Sequence, residues 1–127
     1  PSEALDKHMS DKGSFGNMYS RFYDLLLPPR RCHVSSVLEV GIGSMDKNVP
    51  LNMNYDSNIY RHPPERLKEW VYTVGASLMA WLDVFPEANI TGLDIDRSAL
   101  VHGARLNSKL CNTLNASNVR EVLLEMP

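Results

Sequence analysis

Cysteine is scarce in this chain, whose 127 residues include only Cys32 and Cys111. These two lie far apart and form no Cys-x-x-Cys pair, so neither a disulfide framework nor a structural zinc site is expected. The four histidines show no metal-ligand spacing either. We therefore expect free thiols and no metal site made by residues of this chain.

Strong charge of one sign and long apolar runs are also missing. A net charge of −2 provides no general attraction to nucleic acid or to an anionic membrane. No apolar run reaches the roughly 18 residues that a membrane-spanning helix needs, and the N-terminus lacks the pattern of a signal peptide. We expect one domain, a cytoplasmic location, no nucleic-acid partner and no membrane partner.

Two short apolar runs end where the chain must turn, and they point to a ligand. Residues 34–40 predict a buried strand that runs into Gly41-Ile42-Gly43, and residues 89–95 predict a second strand that carries Asp94. Glycines let the backbone approach a ligand closely, and an acid at the next strand tip can accept hydrogen bonds from two ribose hydroxyls. The pattern predicts a nucleoside-containing ligand, with Asp94 on the ribose and Asp96 as a helix cap. The alternative is that both aspartates are caps.

A third glycine, which the dinucleotide fingerprint requires, is absent, because Met45 and Asp46 stand near its place. A nicotinamide or flavin cofactor is therefore disfavoured. Glu39 points the same way, since a carboxylate there would repel a pyrophosphate and attract a cationic amino-acid group. The alternative is that Glu39 caps a loop amide or pairs with a lysine.

Hydrophobic periodicity predicts the remaining elements. Residues 1–13 are polar and are expected to fray. An amphipathic helix follows, and we expect its apolar face to pack on the sheet. That face comprises Phe15, Met18, Tyr19, Phe22, Leu25 and Leu26. A crossover helix is expected at residues 75–85, a further helix from Asp96 to about Leu110, and a third strand, rather than a last helical turn, at residues 118–126.

The chain divides into two predicted parts. Residues 1–33 form a tail and the amphipathic helix, and residues 34–127 form a Rossmann-like portion. An irregular insert at about residues 44–72 delays the turn from the first strand into its helix, and a loop of this length is usually functional or mobile. Beside it, Trp70 and Tyr72 are expected to pack, with a role in lining a pocket as the alternative.

Several stretches of the chain match one family together. They are Ser10-Asp11-Lys12-Gly13, the aromatic helix of residues 19–23 with Pro29-Arg30, Leu38-Glu39-Val40-Gly41-Ile42-Gly43, Asn48-Val49-Pro50-Leu51-Asn52-Met53, Gly75-Ala76-Ser77-Leu78-Met79-Ala80-Trp81 with Phe85-Pro86, and Gly92-Leu93-Asp94-Ile95-Asp96-Arg97. On these stretches the chain resembles the N-terminal part of a class I S-adenosylmethionine-dependent methyltransferase. It is most similar to the bacterial branch that includes sugar O-methyltransferases of macrolide biosynthesis, over about residues 10–100.

The resemblance implies an α/β fold, with a partial Rossmann-like sheet, flanking helices and a preceding N-terminal helix. It implies S-adenosylmethionine as cofactor, with Glu39, Gly41 and Gly43 on its methionine and ribose side and Asp94 on its ribose hydroxyls. The helix start formed by Gly75, Ala76 and Ser77 would lie near the cofactor, its free amides facing the site. Mg²⁺ is an optional second cofactor, held by residues outside this chain.

The function implied is methyl transfer to a small-molecule acceptor, expected to be a hydroxyl, as part of a larger or multi-chain enzyme. No catalytic residue is assigned. The chain departs from the family at Met79, where relatives usually have arginine, and in the length between Met53 and Gly75. The acid expected after the third strand, the metal-binding carboxylates and the acceptor pocket are all expected to lie beyond Pro127.

Two alternatives remain. The first is a non-catalytic, degenerate or split domain that acts as an interaction module. Because half a sheet leaves an exposed edge strand, a homo-oligomer or a complementing chain is expected as partner. The second is a nicotinamide-dependent enzyme, which the missing third glycine disfavours.

Overall fold

The computed structural model describes residues 1–14, 16–49, 53 and 72–126. Most of the predicted insert, with Trp70, and the predicted helical position Phe15 lie outside these residues. Within them, the sheet has three parallel strands in the order β1-β2-β3, which are β1 Ser36–Val40, β2 Asn89–Asp94 and β3 Leu106–Leu110. The α-helices are α1 Ser2–Lys7, α2 Ser20–Leu26, α3 Ala76–Val84 and α4 Ala116–Leu124, and 3₁₀ turns span Pro28–His33 and Arg97–Ala99. The predicted partial Rossmann-like α/β fold is confirmed.

The main core lies between the sheet and α3. Val37 pairs in register with Ile90, and Ile90 pairs with Leu106, so their side chains share one face of the sheet. Leu78 and Trp81 of α3 join the same buried cluster. The helix lies where the sequence predicts the crossover between two parallel strands, and it places its first residues beside the loop after β1.

The N-terminal tail is folded, so the prediction that residues 1–13 fray is wrong. The helix α1 places Leu5 in the main core, where its side chain is fully buried. A helix this short has no stability of its own in water and depends on packing, which local periodicity does not reveal.

The helix α2 forms, but it packs with a different face from the predicted one. Phe22, Leu25 and Leu26 are between 65% and 78% exposed. The inward side chains are Tyr23, whose ring meets Trp81 edge-on with centroids 5.1 Å apart, and Leu27. A helix that is apolar on much of its circumference offers two candidate faces, and only the neighbouring elements decide between them.

The predictions for the C-terminal third are wrong in both elements. Residues 96–110 form a short 3₁₀ turn and then β3 rather than one helix, while residues 118–126 lie mostly in α4 rather than in a strand. Asn115 caps α4 by accepting hydrogen bonds from the Ser117 and Asn118 amides. The position after the third strand therefore lies inside the chain, at Cys111 and Asn112, and not beyond Pro127 as predicted. Neither residue is the expected acid.

The second face of the sheet is covered only in part. The helix α4 packs there, with Val122 buried against Leu93 of β2 and against Cys111. On β1, by contrast, Leu38 and Val40 point to this face and remain 45% and 57% exposed. In the described part, one face of the sheet is thus covered and the other face is covered over about half of its width. None of its helices has the length and apolar character needed to cross a membrane.

Candidate functional site

The residues predicted to bind a ligand gather at the carboxyl ends of the three parallel strands. Gly41–Gly43 follow β1, Asp94 ends β2 and is followed by Ile95, and Cys111 and Asn112 follow β3. Ligands of open α/β sheets bind at this end of the strands. The fold therefore brings the two predicted loops together and adds a third loop that the sequence did not predict.

The backbone N–H groups of the loop after β1 donate hydrogen bonds to other parts of the protein. The Gly41 N–H donates to the Leu93 carbonyl (2.8 Å), and the N–H groups of Ile42 and Gly43 both donate to Asp94 Oδ2 (2.8 and 3.1 Å). A pyrophosphate needs free backbone donors at such a loop and is repelled by a carboxylate. The geometry therefore disfavours a dinucleotide and suits a nucleoside without phosphate.

Asp94 itself holds three backbone amides. Its second oxygen, Oδ1, accepts from the Asp96 N–H (2.8 Å). An ionised carboxylate has about four lone-pair positions, so three amide bonds leave room for a further donor. The structure thus gives Asp94 a loop-holding role, which agrees with the alternative that it is a cap, and the predicted contact with a ribose stays a prediction.

The two glycines of this loop meet different surroundings. Both have left-handed backbone angles, with φ of 82° at Gly41 and 101° at Gly43. A Cβ atom added at Gly41 would have no atom within 4 Å, so this glycine faces open space. At Gly43 the same atom would lie 2.7 Å from Tyr72 Oη and 2.8 Å from Met53 Cγ. A ligand can therefore approach Gly41. At Gly43, by contrast, the packed side chains leave no room for any residue larger than glycine.

A depression of about 230 Å³ opens between the strand ends. Gly41, Asp94, Ile95, Cys111 and Asn112 contribute to its lining. Pockets that enclose a whole drug-sized ligand usually exceed about 300 Å³, so this one suits a part of a ligand the size of a base. A larger depression of about 300 Å³ beside α1 contains none of the predicted site residues.

Glu39 lies below α3 and has protein partners on both oxygens. Ser77 Oγ donates to Oε1 (2.5 Å), Lys12 Nζ donates to the same oxygen (3.1 Å), and Trp81 Nε1 donates to Oε2 (2.6 Å). The carboxylate is only 9% exposed. The alternative in which Glu39 pairs with a lysine thus describes these contacts, and its role on the methionine side of a cofactor stays a prediction.

Lys12 is the partner that the sequence did not assign. Burial works to lower the pKa of this ammonium group, but the Glu39 and Asp11 carboxylates outweigh it, and the pKa is raised. The sequence feature that could have drawn attention to Lys12 is the motif Ser10-Asp11-Lys12-Gly13. The family resemblance includes this motif but assigns it no function.

The start of α3 is buried beside the loop, with Ala76 and Ser77 almost inaccessible. The Ala76 N–H donates to the Thr73 carbonyl (2.9 Å), and the Ser77 hydroxyl is bonded to Glu39. Gly75 precedes the helix as its N-cap. The Ala76 amide is therefore not free, contrary to the expectation for this helix start, and the contact of the three residues with a cofactor stays a prediction.

The loops after β1 and β2 are also tied by hydroxyl groups. The Ser44 and Ser98 hydroxyls donate to Asp96, and these bonds lower the pKa of its carboxyl. The Ser98 N–H donates to Asp96 Oδ1 (3.0 Å), which confirms the predicted capping role.

Comparison with known proteins adds the family context. No protein-family model matches the sequence, and no curated protein does. Solved structures do match: three structures of the MycE methyltransferase from the mycinamycin biosynthetic pathway align with 95% of this chain at a TM-score of 0.65 and 26% identity. The chain has the fold of an S-adenosylmethionine-dependent methyltransferase. One MycE structure is a complex with Mg, SAH and mycinamycin VI, and the other two contain Mg and SAH.

This methyltransferase-fold chain spans about a quarter of MycE, covering 27% of that chain in the first structure and 25% in the others. Within the described residues, no group of three or more histidine, cysteine, aspartate or glutamate side chains is placed to hold a metal ion. The prediction that any Mg²⁺ is held by residues outside this chain is unchanged by this finding.

Proposed function

We propose that this chain binds S-adenosylmethionine and forms the cofactor-binding part of a methyltransferase that acts on a small-molecule hydroxyl acceptor. The observation that carries the proposal is the glycine loop, whose amides are held by Asp94 beside a base-sized depression. Such a loop suits a nucleoside without phosphates. The likeness to MycE, whose structures contain SAH, supports S-adenosylmethionine as the nucleoside that is bound.

The proposed placement of the cofactor follows the contacts of the three loops. The base enters the depression, where the exposed Ile95 offers apolar surface and the Asn112 side chain offers polar groups. The ribose lies over Gly41, next to Asp94. The methionine half then extends toward the start of α3, where the partly exposed Asp11 and Lys12 provide both signs of charge for an amino-acid group.

Bound S-adenosylmethionine supplies a methyl group on a positively charged sulfur. The bound cofactor would supply this methyl group to the acceptor oxygen and leave as S-adenosylhomocysteine, and the acceptor's proton would pass to solvent or to a base outside the described residues. Such a step depends mainly on holding the two atoms in line. The proposed task of Gly41, Asp94 and the start of α3 is to bind and orient the cofactor, and no described residue is assigned as base.

The binding test uses calorimetry on the full-length protein with S-adenosylhomocysteine, the product form of the cofactor. We expect a dissociation constant below about 1 mM, which requires about 4 kcal/mol of binding free energy. NADH serves as the matched control, and we expect it not to bind because the amides of the glycine loop are already bonded. Absence of S-adenosylhomocysteine binding at millimolar concentration, or tighter binding of NADH, would refute the proposal.

The proposal includes a further parallel strand on the free side of β1, contributed by the rest of the enzyme or by a partner chain. The Asn89 N–H donates to the Ser35 carbonyl, and the Gly41 N–H donates to the Leu93 carbonyl. Because alternate residues of a parallel strand point their backbone groups to opposite sides, those of Leu38 and Val40 face away from β2. The exposure of these two side chains also fits an additional covering element.

This partner strand has a direct readout in the full-length native protein. We expect the Leu38 and Val40 amides to exchange with solvent as slowly as those of Val37 and Glu39, which face β2. Hydrogen exchange measured by NMR or by mass spectrometry with residue resolution compares the two sets within one strand. Fast exchange at Leu38 and Val40, with slow exchange at Val37 and Glu39, would show that the edge of β1 is unpaired.

A further inference from the structure

Tyr72 lies beside the glycine loop of the candidate site, outside the depression proposed for the base. Its side chain is only 6% exposed and packs against Ala76, with Met9, Met53 and Val74 beside it. The sequence favoured packing over lining a pocket, and the ring does pack. Its hydroxyl, however, reaches the glycine loop.

The Tyr72 side chain connects two elements of the site. Its hydroxyl donates a hydrogen bond to the Ile42 carbonyl (2.5 Å), and its ring packs against Ala76 at the start of α3. Burial, followed by the nearby Asp11 and Glu39 carboxylates, raises the pKa of this phenol far above its ordinary value. The group therefore stays protonated and can donate throughout the physiological pH range.

Ile42 is consequently held from two sides. Asp94 accepts its N–H, Tyr72 donates to its carbonyl, and its side chain is buried in the main core. The loop is thereby fixed both to the end of β2 and to the segment that leads into α3. The two attachments differ in position, because Asp94 also borders the depression proposed for the base, whereas Tyr72 does not line it.

We propose that Tyr72 is a positioning residue, whose hydroxyl sets the distance between the glycine loop and the start of α3 and so determines affinity for the amino-acid half of the cofactor. The inference rests on the proposed function, because it assigns the methionine half to the α3 side of the loop. The base and ribose, held on the Asp94 side, depend less on this hydroxyl.

The test replaces Tyr72 with phenylalanine, which keeps the ring and removes the hydroxyl. Calorimetry on the full-length protein compares S-adenosylhomocysteine with 5′-deoxy-5′-methylthioadenosine, which lacks the amino-acid group. We expect Tyr72→Phe to weaken S-adenosylhomocysteine binding roughly five- to tenfold, the usual worth of one hydrogen bond, and the shorter ligand less than about twofold. Tyr19→Phe is the matched control, because Tyr19 directly precedes α2 and is half-exposed. This variant should change the affinity for neither ligand.

A second variant approaches the same contact from the other side. Gly43→Ala places a Cβ atom against the Tyr72 hydroxyl and also strains the loop held by Asp94, because the backbone φ at this position is 101°. We therefore expect it to weaken both ligands and to speed amide exchange at Ile42 in the ligand-free protein. Equal losses for both ligands in Tyr72→Phe, or unchanged binding in that variant, would overturn the inference for Tyr72. If the unmodified protein bound neither ligand, the proposed function itself would fail.

Discussion

Replacing Lys12 with methionine is expected to lower the free energy of unfolding by about 3–5 kcal/mol, because it leaves the buried Glu39 carboxylate without its counter-charge. Glu39 is only 9% exposed, so water compensates little for the lost ammonium group. Methionine keeps most of the apolar stem of the lysine, so the change is mainly one of charge. Urea unfolding followed by tryptophan fluorescence measures it, since Trp81 donates directly to Glu39.

A control for this result is the exposed pair between Lys7 and Asp83, whose nitrogen and oxygen lie 2.7 Å apart. Lys7→Met should cost less than about 1 kcal/mol, because water screens an exposed pair. The double variant Lys12→Met/Glu39→Gln should recover part of the loss, since it removes the stranded charge. A cost at Lys12 no greater than that at Lys7 would show that the buried pair does not stabilise the fold.

The pH dependence of the Lys12 effect follows from the raised pKa of its ammonium group. A raised pKa in the folded state means that the stabilisation is complete below the unfolded value of 10.5 and is lost as the pH rises through the folded value. The difference between the unmodified protein and Lys12→Met should therefore not fall between pH 7 and 10 and should shrink only above that range.

Replacing Asp94 with asparagine is expected to weaken S-adenosylhomocysteine binding by about 100-fold or more, which corresponds to about 2.7 kcal/mol. The carboxylate accepts amide hydrogens from Ile42, Gly43 and Asp96. An asparagine side chain turns an NH₂ group toward at least one of these donors, and an unsatisfied amide costs about 1–3 kcal/mol. The loop then loses the shape in which Gly41 faces the ligand.

Calorimetry of Asp94→Asn, together with amide exchange at Ile42 and Gly43, separates the loop-holding role from a ribose contact. We expect both amides to exchange faster in the ligand-free variant. Asp46→Asn is the matched control, because Asp46 lies exposed in the same connection and its carboxylate accepts hydrogen bonds only from Asn48 among the described contacts. Weakened binding with unchanged amide exchange would mean that Asp94 acts on the ligand alone.

The site was partly predictable because its strongest signals are local. An apolar run that ends in Gly-x-Gly, and another that ends in aspartate, mark β1 and β2 whatever surrounds them. The crossover helix α3 follows from its own apolar spacing and from Pro86. The partners of these residues were not predictable. Lys12 reaches Glu39, and Tyr72 reaches Ile42, across 27 and 30 positions of the sequence.

The wrong predictions share one physical cause, which is that tertiary contacts outweigh weak local preferences. The sequence alone determined the α/β class, the loop after β1 and the carboxylate that ends β2. The tertiary structure decided which face of α2 is buried, that β3 rather than a helix follows Asp96, and that Asp94 holds the loop amides. These choices depend on burial and hydrogen bonds between distant segments, and a local pattern of residues does not specify them.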